Sequence, residues 1–160
     1  LNLTAGSEIR EILLLKISLK KQEFDAKIIE AIAKQNPHHL VFCLTFVESC
    51  QLALYHGKLY RTAWTPSDAL TLSAKGYSLS EIWNGLIEQI ALQEERTEAP
   101  AGLSIDERLA LQDRTLKLEK LIAKTEAAAW KEQQSKKRFA LYSKAQAYKK
   151  ELEKLKYGLP

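Results

Sequence analysis

Methionine is absent from all 160 residues, and the first ten, LNLTAGSEIR, open without an initiator. They also lack the basic-then-apolar layout of a signal peptide, so the chain is expected to begin inside a longer natural sequence, with an N-terminal piece missing. No run approaches the roughly 18 apolar residues that a bilayer crossing requires, which argues against a spanning helix. Cysteine is scarce. Cys43 and Cys50 are the only two, too few for a disulfide-stapled scaffold and wrongly spaced for zinc. If Glu48-Ser49 turns a hairpin, Val47 faces Cys50 and Cys43 faces Leu54, which leaves the thiols about four residues out of register and unable to bridge. Buried free thiols of this kind point to the cytoplasm. Also missing are a P-loop, a dinucleotide glycine fingerprint and a nucleophile elbow, so the commonest nucleotide-binding and hydrolase signatures are not present.

What the chain does have is a change of period along its length. Ile12–Lys20 (ILLLKISLK) alternates from its middle onward, with Leu13, Leu15, Ile17 and Leu19 on one face. That predicts a strand, and Ile12 and Leu14 suggest its first half is covered on both faces. From Gln22 to Gln35 the period becomes helical through Phe24, Ile28, Ile29 and Ile32, until Asn36-Pro37 stops it. Leu40–Val47 (LVFCLTFV) is apolar on both faces and reads as a central strand. Further strands are expected at Cys50–Tyr55 and Leu59–Trp64, the latter closed by Thr65-Pro66. Ser67–Tyr77 is irregular, with one helical turn expected at 67–72. Ser78-Leu79-Ser80-Glu81 fits a capping box opening a helix through about Leu92.

Gln93–Leu103 (QEERTEAPAGL) is polar and carries Pro and Gly, and reads as a linker. Ser104–Tyr157 contains neither Gly nor Pro and is rich in good helix formers. Ser104 is the expected cap, with Asp106 and Glu107 at the positive end. Two apolar seams follow, one through Leu111, Leu118, Leu121, Ile122, Thr125 and Ala128, the other through Phe139, Tyr142, Ala145, Leu152 and Leu155. Between them lies the polar stretch Lys131–Arg138, with Glu132 and Ser135 where a continuous heptad wants apolar residues. Two architectures fit: a single rod, or an antiparallel hairpin turning near Gln133–Lys137. The missing Gly, Pro or Asn argues for the rod, and the matched lengths for the hairpin.

Chemistry is thinly signalled. His38, His39 and His56 are the only histidines, all at strand ends, and no carboxylate or thiolate cluster accompanies them in sequence. A restriction-type nuclease needs acids that hold a divalent cation beside a strand Lys. Ser18-Leu19-Lys20 has Ser where Glu is wanted, and Glu11 is the only nearby acid upstream. Charge is more informative. The chain carries +4, but Lys131–Lys156 holds nine Lys or Arg against three Glu, and the rest is slightly acidic. Lys136, Lys137, Arg138, Lys144, Lys149 and Lys150 are candidate phosphate contacts, with Tyr142 and Tyr148 among them able to stack on bases. They occupy several helix faces, which an ordinary solvated surface does equally well. Leu118, Leu121, Trp130, Phe139, Tyr142, Leu152 and Leu155 are candidate protein-interface residues, Trp130 as an anchor in otherwise small and polar surroundings. Trp64 and Trp83 are expected in the core.

Three stretches resemble the uncharacterised prokaryotic domain-of-unknown-function family forty-three ninety-one. LNLTAGSEIREILLLKISLK looks like its first strand, which in the family follows an N-terminal segment absent here. Leu59–Pro66 (LYRTAWTP) resembles its aromatic-acid-Trp-Pro signature, with Ala63 where an acid is common. Glu132-Gln133-Gln134 through Glu151-Leu152 is similar to its C-terminal pattern, with Ser135 for an aromatic and Tyr142 for Asn. The resemblance implies a protein encoded beside methyltransferases and helicases of restriction-like or phage-defence systems, and it supplies no catalytic residues.

Residues and resemblance together predict an α+β fold. A small β-α-β-β-β layer with packing helices spans 1–92, a linker 93–103, and a long helical hairpin or coiled-coil rod 104–157. The expected role is a non-enzymatic accessory protein that self-associates or docks a protein partner through its C-terminal helices, without membrane or cofactor. A nucleic-acid-binding module using the basic helix, for DNA or RNA, and a degenerate nuclease are the alternatives.

Overall fold

A computed structural model describes residues 9–92 and 102–157. The chain divides into two compact units, 1–92 and 93–160, so most of the expected linker lies outside the described residues.

The first unit is a mixed sheet between two helices. Strands β1 (Ile12–Ser18), β2 (His39–Phe46), β3 (Ser49–His56) and β4 (Lys58–Arg61) lie side by side in that order, and β5 (Thr65–Pro66) pairs with β3 beyond β4. β1 and β2 run parallel, from Ile12 opposite His39 to Ser18 opposite Thr45. The crossover between them carries α1 (Ala26–Gln35). Its cap is Asp25, whose carboxylate accepts the Lys27 N–H at 3.0 Å, so Gln22–Phe24 precede the helix rather than opening it. Pro37 ends it by holding Asn36 in an extended conformation.

α1 covers the face built from Leu40, Phe42, Leu44 and Ala53, where Ile29 is buried and Phe24, Leu59 and Trp64 pack around it. The opposite face carries Val41, Cys50, Leu52 and Leu54, all buried. Helix α2 (Leu79–Ala91) lies on this side, contributing Trp83, Leu86, Ile87 and Ile90. Burying each of these large side chains stabilises the fold by roughly 1.5–3 kcal/mol. α2 contacts β3 and β4 and leaves the matching face of β1 open. Leu14 is accordingly 60% exposed, which corrects the expectation that β1 is covered on both sides.

The β2–β3 turn is Val47-Glu48, since Phe46 pairs with Ser49. Cys43 then faces Leu52 and Thr45 faces Cys50, so the thiols are diagonal neighbours, two residues out of register instead of four. Both are free. Between β4 and β5 the partner of β3 gains one residue: Ala53 pairs with Arg61, but Cys50 with Thr65. This bulge lets the strand continue through Thr65-Pro66 where a stop was expected. The Gln51 amide donates to the Thr62 carbonyl at 2.6 Å, and the Thr62 hydroxyl accepts the Leu52 N–H at 3.0 Å. Residues 67–69 form a turn and no helix. Ser78 caps α2 by accepting the Glu81 N–H, whereas the Glu81 carboxylate takes the Tyr77 N–H, so only half of the expected capping box forms.

The second unit is a helical hairpin. Helix α3 (Ile105–Lys131) begins with a complete capping box: the Ser104 hydroxyl accepts the Glu107 N–H, and the Glu107 carboxylate accepts the Ser104 N–H at 2.8 Å. Those bonds hold the Glu107 carboxyl below its usual range. Helix α4 (Ser135–Tyr157) follows after three residues. Lys156 Nζ lies 3.6 Å from Glu119 Oε1, and Lys149 pairs with Glu126. In one continuous rod the first pair would be about 55 Å apart. The chain therefore folds back on itself.

The seam differs in phase from the expected one. On α3 it runs through Thr115, Leu118, Ile122, Thr125 and Ala129, all buried. On α4 it runs through Leu141, Ala145, Tyr148, Leu152 and Leu155. Both follow alternating three- and four-residue steps. Ala128, Phe139 and Tyr142 fall outside it and are exposed. Phe139 stands about 160° around the helix from Leu141, too far to share its stripe.

Candidate functional site

Two places gather chemically distinctive side chains, one in each unit. In the first, His39 opens β2 and neighbours His56, which ends the antiparallel β3, and His38 Nδ1 lies 3.1 Å from Glu11 Oε2. The sheet thus collects all three histidines at one end, which their positions in sequence did not show. His39 packs edge-on against Trp83, with ring centroids 4.7 Å apart. Burial, then the neighbouring His56, lowers its pKa below 6.5. The adjoining cavity, about 200 Å³, is lined by Asn36, His38, His39, Tyr55 and Trp83 among others. That is small against the roughly 300–1,000 Å³ of ordinary ligand pockets. Among the described residues no group of three or more His, Cys, Asp or Glu side chains is arranged to hold a metal ion.

The acid and base weighed for a nuclease do not meet. Glu11 precedes β1 and is engaged with His38, while Lys20 follows its other end. Seven strand residues separate those ends by roughly 23 Å, too far to share one cation.

The second place is the tip of the hairpin. Here α3 ends at Lys131 and the chain turns without glycine. Glu132 takes an extended conformation, and its N–H still reaches the Ala128 and Ala129 carbonyls. The Glu132 carboxylate accepts the Gln134 N–H at 2.9 Å. Arg138 reaches back from the first turns of α4 and donates to the carbonyls of Glu132, at 3.0 Å, and Gln133, at 3.3 Å. One guanidinium thus satisfies two carbonyls that the turn strips of helical partners.

Residues 135–140, the opening turns of α4, are all exposed. Trp130 is 84% exposed, Phe139 73% and Tyr142 41%. An open concavity of about 510 Å³ lies against Ala128, Lys131, Glu132, Gln133 and Gln134.

The structure sorts the candidate residues. Leu118 is buried, and Leu121, Leu152 and Leu155 are half-buried, so the leucines of the expected interface are largely used inside the protein. Trp130, Phe139 and Tyr142 remain outward, and Trp130 anchors nothing among the described residues. Of the candidate phosphate contacts, Arg138 is committed to the turn, Lys149 to Glu126, and Lys144 lies over the Tyr148 ring at 6.0 Å. Lys136, Lys137 and Lys150 are exposed. Sequence reading passed over Lys131 and Gln133–Gln134, whose place beside the concavity depends on where the helix breaks. Trp83 is buried and Trp64 half-buried against the core, as expected.

A mixed sheet between two helices, joined in one chain to a basic-tipped helical hairpin, defines an α+β protein with long C-terminal helices. The chain belongs to the family described as Domain of unknown function (DUF4391), whose family model matches residues 1–152. No curated protein and no solved structure matches it.

Proposed function

We propose that this chain is a non-enzymatic accessory protein that docks a partner through the tip of its C-terminal hairpin. The observation carrying the reading is the outward placement of Trp130 and Phe139. Large aromatics cost solubility when left in water, and they dominate binding energy where they meet a partner. Self-association through the two apolar stripes, the other use considered for these helices, is less favoured because the stripes are spent on each other. The setting implied by the family resemblance is a restriction-like or phage-defence system in the cytoplasm.

The test is purification of the full chain after co-expression with the products of its neighbouring genes. The double variant Trp130→Asp/Phe139→Asp is expected to lose whatever co-purifies, protein or nucleic acid. Tyr77→Asp, at an equally exposed aromatic of the first unit, is expected to retain it. Identical yields from all three chains would remove the tip as a docking site.

A further inference from the structure

We infer that the partner of the hairpin tip is a single-stranded nucleic acid. The inference rests on the docking reading above and adds to it the chemistry of the occupant.

The first argument is charge. Lys131, Lys136, Lys137 and Arg138 surround the turn against one acid, Glu132. The Glu132 carboxylate is occupied by the Gln134 N–H, and Arg138 by two carbonyls. Lys131, Lys136 and Lys137 are left exposed. They contrast with Arg114, Lys149 and Lys156, which are neutralised across the hairpin by Glu151, Glu126 and Glu119. Around the turn four cations face a single acid, and that concentration of positive charge suits a polyanion.

The second argument is the form of the apolar surface. Trp130 stands near the end of α3, whereas Phe139 and Tyr142 stand on α4. Phe139 and Tyr142 are three residues apart on one side of α4, and Lys136 is three residues before Phe139, so one cation and two rings follow one another along that side. Exposed rings beside exposed lysines match an unpaired strand, whose bases offer open π-faces while its phosphates track the charges. A duplex keeps those faces stacked inside. The concavity at the turn is lined by Lys131, Gln133 and Gln134 among others, and the two amides can both donate to and accept from a base edge.

The experiment is titration of the full 160-residue chain into a labelled oligothymidylate, its duplex with oligodeoxyadenylate, and the base-free polyanion heparin, at several salt concentrations. Three lysine–phosphate contacts predict that log affinity falls against log salt with a slope of about −2 for the single strand. Lys136→Glu/Lys137→Glu is expected to bring that slope to about −0.7 or shallower. Trp130→Ala and Phe139→Ala are each expected to weaken binding about fivefold or more while leaving the slope unchanged. Both aromatics are exposed, so the melting temperatures of these variants should match the parent.

No oligonucleotide binding at low salt overturns the inference. So does heparin or duplex bound as tightly as the single strand with Trp130→Ala neutral. If oligonucleotide binding fails but Trp130→Asp/Phe139→Asp still releases a co-purified protein, the inference about nucleic acid falls and the docking reading stands. If that variant releases nothing as well, both fall.

Discussion

Val47 and His39 show how single positions set local costs in this fold. Val47 occupies the two-residue β2–β3 turn at φ +53°, in the left-handed region, and is 84% exposed. A β-branched residue pays about 1–2 kcal/mol there, and no packing repays it. Val47→Asn, a residue that tolerates this conformation, is expected to raise stability by about 1 kcal/mol in urea unfolding. An unchanged midpoint would mean the turn relaxes without strain. His39 sets a pH dependence. Its folded pKa is depressed from 6.5 by burial and by His56, with the His38–Glu11 pair beside it. The unfolded chain therefore takes up a proton first as pH falls through 6.5, and the native state loses stability below that point. Melting temperature should drop between about pH 7 and pH 5, and His39→Gln should flatten that drop. Equal slopes for the two proteins would assign the effect to other groups.

At the scale of elements, the strands and α2 were legible because one dominant signal defined each. Apolar alternation marks β1, the doubly apolar run marks β2, and Ser78 starts α2. Boundaries were lost where a side chain took over a backbone role. Asp25 caps α1 one residue after Phe24, although Phe24 continues the apolar helical pattern. The bulge at 62–64 hides β5 behind a proline. The helical turn is the clearest case. Its lack of glycine favoured a rod, yet Arg138 supplies the donors that close it, and nothing in the spacing of KEQQSKKR identifies which basic residue will bend back. Arg138→Ala is expected to lower hairpin stability by about 1 kcal/mol and to speed amide exchange in the first turns of α4. Arg138→Lys should not restore it, because an ammonium lacks the planar fork that spans two carbonyls. Full protection in either variant would show that the turn holds itself. The seam was likewise misphased because Phe139 and Tyr142 look like core residues by type alone, and only the observed register turns them outward.

For the molecule as a whole, the closed seam gives a directly measurable expectation. Light scattering should report a monomer near 18.2 kDa. A stable dimer would return self-association to first place among the uses of the hairpin. The sheet carries a consequence of another kind, concerning time. β2 and β3 are joined through two residues, whereas the parallel pairing of β1 with β2 brings Ile12 to His39 across the whole of α1. Closing the longer loop costs more entropy before any contact rewards it. The β2–β3 ribbon should therefore assemble first and β1 arrive late. The same strand, at the margin of the sheet and with Leu14 in water, should be the first to come away when the native state breathes.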